Sequence, residues 1–188
     1  GLDVGGTFTD AVIVDGHRVV ATAKRRTTKD NLMNGIGEAL DAVLEDCDTS
    51  NIEQVTLSTT VVTNTIVEGK EQPVDLYVVT GPGRNVDDIF PVSPIYLQGY
   101  TDHRGIVVER TPTDAVRGIA NMVQTRSGTD LAAVSAKFGV RNPQEELSIT
   151  EELKNTYLTI SNGSLLSGSL NFPRRTISAY FNSAVTPV

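Results

Sequence analysis

The first twenty-five residues limit the fold more than anything that follows them. Residues 2 to 24 hold three short runs of strand character, "LDVG", "TFTDAVIVD" and "HRVVATAKR". A Gly5-Gly6 bend joins the first two, and "DGH", with Asp15-Gly16, is a tight hairpin signal between the second and third. Behind this meander, helical and strand patterns alternate. From Asp30 to Asp46, Leu32, Met33, Ile36, Leu40, Val43 and Leu44 recur at helical spacing, with Asp30 placed to cap the first turn. "QVTLST" reads as a buried strand, "TVVTNTIVEGK" as a helix ending at Gly69, and "VDLYVVT" as a strand closed by the "GPG" turn.

Residues 87–110 change character, Pro-rich at first and then an extended pair around "DHRG". A helix over Thr113–Thr125, the strand "LAAVSAKF", the amphipathic helix "NPQEELSITEELKN", the strand "TYLTIS" and a final helix "PRRTISAYFNSAV" resume the alternation. This order predicts an α/β fold with a mixed sheet: the first three strands antiparallel, parallel crossovers behind them, and helices flanking. Crossovers of that kind bring ligand loops to the carboxyl ends of the strands.

Size and charge narrow the function. The 188 residues suffice for one large domain, or a domain with an excursion at 87–110. No run approaches the ~20 apolar residues of a membrane-spanning helix, and no signal peptide opens the chain. A net charge of −7 argues against nucleic acid as the main partner. The single cysteine, Cys47, excludes an internal disulfide framework and a cysteine-based zinc site, and fits a reducing cytoplasm. In that setting the "NGS" at Asn162 reads as a turn rather than a glycan site. There is no initiator Met and the closing "SAVTPV" lacks a polar tail, which together suggest a piece of a longer protein.

The first bend carries chemistry. Gly5 and Gly6 remove side chains where a ligand must approach the backbone, and successive N–H groups in such a turn form a concave nest for phosphate. Thr7 and Thr9 add hydroxyl donors. An aspartate beside a phosphate nest is repulsive unless a cation intervenes, and Mg²⁺ accepts carboxylate oxygens while bridging phosphates. Asp3 therefore reads as the magnesium anchor and Asp10 as a second carboxylate, the two candidate catalytic acids. Against this stands the plain reading of a hairpin with glycines chosen for the bend alone. Other nucleotide signatures are missing: there is no G-x-x-x-x-G-K-[ST], and "GPGRNV" lacks the third glycine of G-x-G-x-x-G.

"GLDVGGTFTDAVIVDG" resembles the first phosphate-binding region of the actin-like ATPase superfamily, and more closely the N-terminal domain of the hydantoinase A/5-oxoprolinase family. "STTVVTNTIVEGK", Ser58 to Lys70, resembles that family's Thr-Thr-x-x-Thr-Asn-x-x-x-Glu segment. "AVSAKFGVRNPQEE" and "RRTISAYFNSAVTPV" resemble its later strand-loop-helix passage and the helix entering its second large domain. The resemblance implies an RNase H-like half of an actin-like ATPase fold spanning 1–188, with ATP and Mg²⁺ as cofactors. It further implies ATP-driven opening of a cyclic amide such as a hydantoin or 5-oxoproline, by phosphorylation of a carbonyl oxygen. The C-terminal half of the same protein, and a second subunit, are the implied partners. This chain alone is then expected to be inactive.

In the second motif, Ser58, Thr59 and Thr60 stand where a strand meets a helix, with free N–H groups and the positive end of the macrodipole. They would hold a phosphate or the substrate carbonyl oxygen; alternatively Ser58 or Thr59 only caps the helix. Asn64 and Glu68 follow on the same helical face, Asn64 as a cleft contact and Glu68 as a surface charge. The sequence departs from the family at Leu57-Ser58, where many members have His-Gly, and at Gln144-Glu145-Glu146, where many have x-His-Glu. The first change touches the implied site and leaves the substrate open to another amide or carbonyl compound. Two further functions compete: an actin-like small-molecule kinase, and a non-enzymatic nucleotide clamp.

Several residues are set aside. His17 sits in a hairpin, and the Asp102-His103-Arg104 cluster reads as a solvated turn tip. Cys47 follows an acidic helix end that disfavours a thiolate. Arg174-Arg175 suit either a phosphate or a helix start, and Asp87-Asp88 either a loop or the cleft border.

Overall fold

The computed structural model describes residues 1–28, 30–83 and 87–186. The end of "GPGRNV", the side chain of Asp87 and the closing Pro187-Val188 lie outside the described residues. The chain divides into two compact units, Gly1–Lys70 and the part from Glu71 onward.

In the first unit, strands β1 (Leu2–Val4), β2 (Phe8–Asp15), β3 (Arg18–Arg26) and β4 (Leu57–Thr59) form a mixed sheet in the order β3-β2-β1-β4. The first three are antiparallel, as expected, and β4 joins β1 in parallel. Asp15 pairs with Arg18, so the two-residue loop is Gly16-His17, one residue beyond the pair read from the sequence. Gly16 supplies the positive φ of 55° that this tight loop needs. Helix α1 (Leu32–Leu44) covers one face, where Leu2, Ala11, Ala39 and Val43 form a small core. Its cap is Asn31, whose side chain accepts the Met33 N–H, in place of the expected Asp30. The strand read as buried is short and exposed, because β4 lies at the sheet edge. Helix α2 (Val61–Val67) follows and stops before Gly69, which has φ 63°.

The second unit holds a separate, wholly parallel sheet. Strands β5 (Asp75–Val79), β6 (Ile95–Tyr96), β9 (Leu131–Ala136) and β10 (Thr159–Asn162) run in the order β10-β9-β5-β6. A hairpin of β7 (Tyr100–Thr101) and β8 (Val107–Glu109) is the extended pair around "DHRG". Helices α3 (Thr113–Ser127) and α4 (Gln144–Leu153) pack Val116, Ala120, Ile149 and Leu153 on Tyr77, Val79 and Val134. Helix α6 (Phe172–Val185) covers the other face with Phe172, Ala179, Tyr180 and Ala184. Between β10 and α6 lies a single turn, α5 (Gly163–Leu166), absent from the sequence reading, and Asn162 caps it through the Ser164 N–H. Both faces of β5 and β9 are covered, which is why these strands are continuous apolar runs.

Candidate functional site

Strand pairing lines up the polar residues of the first unit. Lys24 on β3 lies opposite Asp10 on β2, Asp10 opposite Asp3 on β1, and Asp3 opposite Ser58 on β4. Alternation along each strand turns this row away from Leu2, Ala11 and α1. It lines an open groove of about 630 Å³ together with Val12 and Thr22. Lys24 Nζ donates to both oxygens of Asp10, at 2.8 and 3.1 Å, and lies 5.1 Å over the Phe8 ring. Among the described residues, Asp3 has no side-chain partner; it faces Asp10, a like charge directly across the ladder.

The Gly5-Gly6 bend is partly closed on itself. Gly5 N–H donates to Phe8 O at 3.0 Å, and a Cβ on Gly5 would meet that oxygen at 2.9 Å. Thr27 Oγ1 donates to Gly5 O at 2.8 Å and lies 3.1 Å from Thr9 Oγ1. Thr9 is fully buried, because alternation on β2 sends it to the α1 side. This corrects its reading as a phosphate donor: Thr9 braces the bend from beneath. Gly5 likewise has its amide committed within the turn. Gly6 and Thr7 are exposed, and neither N–H donates to another described residue.

The second motif meets this bend. Thr60 N–H donates to Val4 O at 3.2 Å, anchoring the start of α2 to the end of β1. Asn64 Nδ2 lies 3.0 Å from the point where Gly6 would carry a Cβ, so a side chain at position 6 would press on the carboxamide. The same nitrogen donates to Thr60 Oγ1 at 3.3 Å. Thr59 Oγ1 accepts the Val61 N–H at 3.2 Å, a local capping bond, while Ser58 stays in the exposed row. Glu68 pairs with Lys70 at the surface.

The carboxylates suit a hard divalent ion in one respect and resist it in another. Asp3 offers free oxygens beside a backbone bend, the donor type Mg²⁺ takes with waters and phosphate. Asp10 is already neutralised by Lys24, so Asp3 is the better anchor. Among the described residues, no group of three or more His, Cys, Asp or Glu is assembled for a metal.

Other charges prove structural. Asp102 is buried and accepts from the backbone N–H groups of Ile106 and Arg104 and from Arg104 Nε, all at 2.9 Å. The Ile106 N–H above all, with Arg104, holds its pKa down to about 2, and His103 beside it is exposed. Arg175, read as a phosphate or interface arginine, is 1% exposed and donates to the carbonyls of Ala136 and Ser169. Glu145 and Glu146 are buried as well, a role that the helical spacing of α4 alone did not reveal. Tyr77 and Tyr157 share a buried hydrogen bond of 2.8 Å, and burial pushes the Tyr77 hydroxyl up to about 12.

The family described as the hydantoinase/oxoprolinase N-terminal region matches residues 1–157. This chain belongs to that family. The hydantoinase/oxoprolinase N-terminal region seen here shares its fold with a nucleotide-free acetone carboxylase studied for ATP-dependent acetone carboxylation. The TM-score is 0.74 at 18% identity, over 100% of this chain and 32% of that one. An ATP-dependent caprolactamase from Pseudomonas jessenii is similar too, with TM-score 0.67 and 17% identity, over 99% of this chain and 31% of that one. The chain thus spans about a third of either enzyme. No curated protein matches it. Among the described residues, no helix is long and apolar enough to cross a membrane.

Proposed function

We propose that this chain is the N-terminal part of an enzyme that uses ATP to activate the carbonyl oxygen of a cyclic amide or related carbonyl compound. One observation carries the reading: the Gly6 and Thr7 N–H groups donate to no other described residue, Asn64 Nδ2 lies 3.0 Å from the point where Gly6 would carry a Cβ, and Asp3, on the strand that leads into this bend, is exposed. Successive free amides make a nest for phosphate oxygens, and the Thr7 hydroxyl adds a donor. Asp3 would hold Mg²⁺, directly or through water, and the bound ion would supply neutralisation of phosphate charge. Asn64 fixes one wall and presents its carboxamide to the phosphate or the substrate oxygen. Ser58 and Thr60 extend the polar edge, and Asp10 acts through its pairing with Lys24.

The chemistry balances simply. The amide oxygen attacks the γ-phosphorus of ATP, the bond to ADP breaks, and the O-phosphorylated imidate is far more electrophilic than the amide. Water adds at that carbon, the C–N bond breaks as nitrogen takes the proton, and the ring opens to an acyl phosphate, which a second water hydrolyses to carboxylate and inorganic phosphate. Catalysis rests on positioning and charge neutralisation rather than on a protein nucleophile. The relatives support this class: one carboxylates a ketone and the other acts on a lactam, both with ATP. Completing the cleft requires the rest of the polypeptide, and a second subunit is the natural further partner, in the reducing cytoplasm that suits Cys47.

The test is phosphate release by the full-length protein with Mg·ATP against a panel of lactams and hydantoins. Stimulation by one cyclic amide, lost in Gly6→Val, is the expected result. A phosphorylated sugar would replace this reading with a kinase, and ATP turnover indifferent to every carbonyl compound would leave a nucleotide clamp. Steady turnover by residues 1–188 alone would overturn the dependence on the remaining chain.

A further inference from the structure

The parallel sheet of the second unit reverses its winding between β5 and β9. From β5 the chain crosses to β6 on one side, returns as β9 on the other, and continues outward to β10. Where neighbouring strands send their connections in opposite directions, a crevice opens beyond their carboxyl ends, and open α/β sheets take ligands there. In this sheet the two ends are Val79 and Ala136, followed by the loops 80–83 and 137–141.

Those loops are built unusually. Gly81 and Gly83 have φ of 63° and 136°, and the Tyr100 ring fills the space a Cβ on Gly81 would need. Phe138, at φ 64°, is the one non-glycine in that region among the described residues. A left-handed L-residue is strained and persists only where its surroundings enforce it.

The strand end just before Phe138 is held by buried, charged contacts. Glu146 accepts the N–H groups of Ala136 and Ser164, each at 2.7 Å, and Arg175 Nη2 donates to Ala136 O at 2.6 Å. Lys137 N–H donates to Val79 O at 2.8 Å. The carboxyl ends of β5, β9 and β10 are thereby fastened together, which makes a rigid platform for the loops.

On that platform stand Lys137 and, at the far end of the loop, the exposed Arg141; Lys137 is the one that reaches toward Gly83. Lys137 is half-buried, its Nζ 5.6 Å from the Phe138 ring centroid and 3.8 Å from the point where Gly83 would carry a Cβ. Although the chain has 23 Asp and Glu, no described carboxylate pairs with this ammonium. The N–H groups of Gly83 and Phe138 donate to no described residue either.

We propose that this crevice binds a small oxyanion, the carboxylate or phosphoryl group of a metabolite, through the Lys137 ammonium and the Gly83 and Phe138 amides. The proposed site is built wholly from residues of the second unit, and its argument does not use the ATP reading. Glycine at 83 leaves the approach to Lys137 clear, and the Phe138 amide, in its left-handed turn, is bonded to no described strand.

Amide chemical shifts of the ¹⁵N-labelled chain, titrated separately with inorganic phosphate and with acetate, test it and distinguish the two anion classes. Saturable shifts at Gly83 and Phe138 with either anion are expected, about tenfold weaker in Lys137→Gln and restored in Lys137→Arg. Gly6→Val should leave them untouched while removing any phosphate response at Thr7, so the two sites succeed or fail independently. No saturable shift at Gly83 and Phe138, or an equal response in a well-dispersed Lys137→Gln spectrum, would overturn the proposal.

Discussion

The two units solve the same problem, covering a four-stranded sheet, in opposite ways. The first covers one face with α1 and leaves the other as a polar row over an open groove. The second covers both faces, and its central strands β5 and β9 are buried at every position. Stability and chemistry are accordingly divided. A face left polar and open to solvent cannot also be core, and on it the first unit keeps two like charges opposed on adjacent strands. The second unit can bury polar groups instead, since Glu146, Arg175 and Asp75 all find partners inside it.

The sharpest way to break that comparison is to truncate equivalent core side chains. Ile149→Ala, in a fully buried site between α4 and the sheet, should cost about 2–5 kcal/mol in urea unfolding. Val43→Ala, in the small one-sided core, removes two methyl groups and should cost about 1.6 kcal/mol. Equal losses per carbon removed, three at Ile149 and two at Val43, would mean that the first unit is no less tightly packed than the second. On the functional side, Asp3→Asn in the full-length enzyme should lower amide-stimulated ATP turnover roughly a hundredfold, since a metal's charge neutralisation is worth several kcal/mol. Unchanged turnover would remove Asp3 from the metal site.

How much of this was legible in the sequence follows the same division. Apolar runs such as "VDLYVV" and "LAAVSA" announced β5 and β9 because both faces are covered, and "DGH" announced the hairpin. The short edge strand β4 was misjudged as buried, since "QVTLST" has the composition of a core strand and nothing local marks an edge. Thr9 was misassigned because a motif read as a string ignores the two-residue period: Asp10 faces the groove, so its neighbour must face α1. The pairing of Asp3 with Asp10 and Ser58 was readable only once register was fixed. Arg175 and Glu146 were the least legible, because charged residues on a helix are ordinarily solvated and only tertiary contacts reveal burial.

A smaller effect sharpens the polar row. If Asp3 opposes Asp10 without a cation, Asp3→Asn should raise stability by about 0.2–1 kcal/mol in metal-free buffer. Added Mg²⁺ should stabilise the native protein more than the variant, measured as a shift in melting temperature. A loss of stability in Asp3→Asn would show that its carboxylate supports the fold rather than waiting for a ligand.

The smallest effect lies in the second unit and is confined to acid. Asp102 has its pKa held down to about 2 from the usual 3.8, chiefly by the Ile106 N–H and with help from Arg104. A carboxyl depressed in the folded state contributes stability that is fully present above its unfolded pKa and is lost as pH falls through the folded value. Between pH 3.8 and about 2 the native protein should therefore lose thermal stability more steeply than Asp102→Asn, the two curves becoming parallel below that window. Because Asp102 anchors the turn between β7 and β8, early fraying on acidification should show in the amides of Arg104 and Ile106, while Gly6 and Thr7 stay unmoved. Equal acid slopes in both proteins would mean that the turn is held by its backbone alone. The buried aspartate would then be a passenger in that turn.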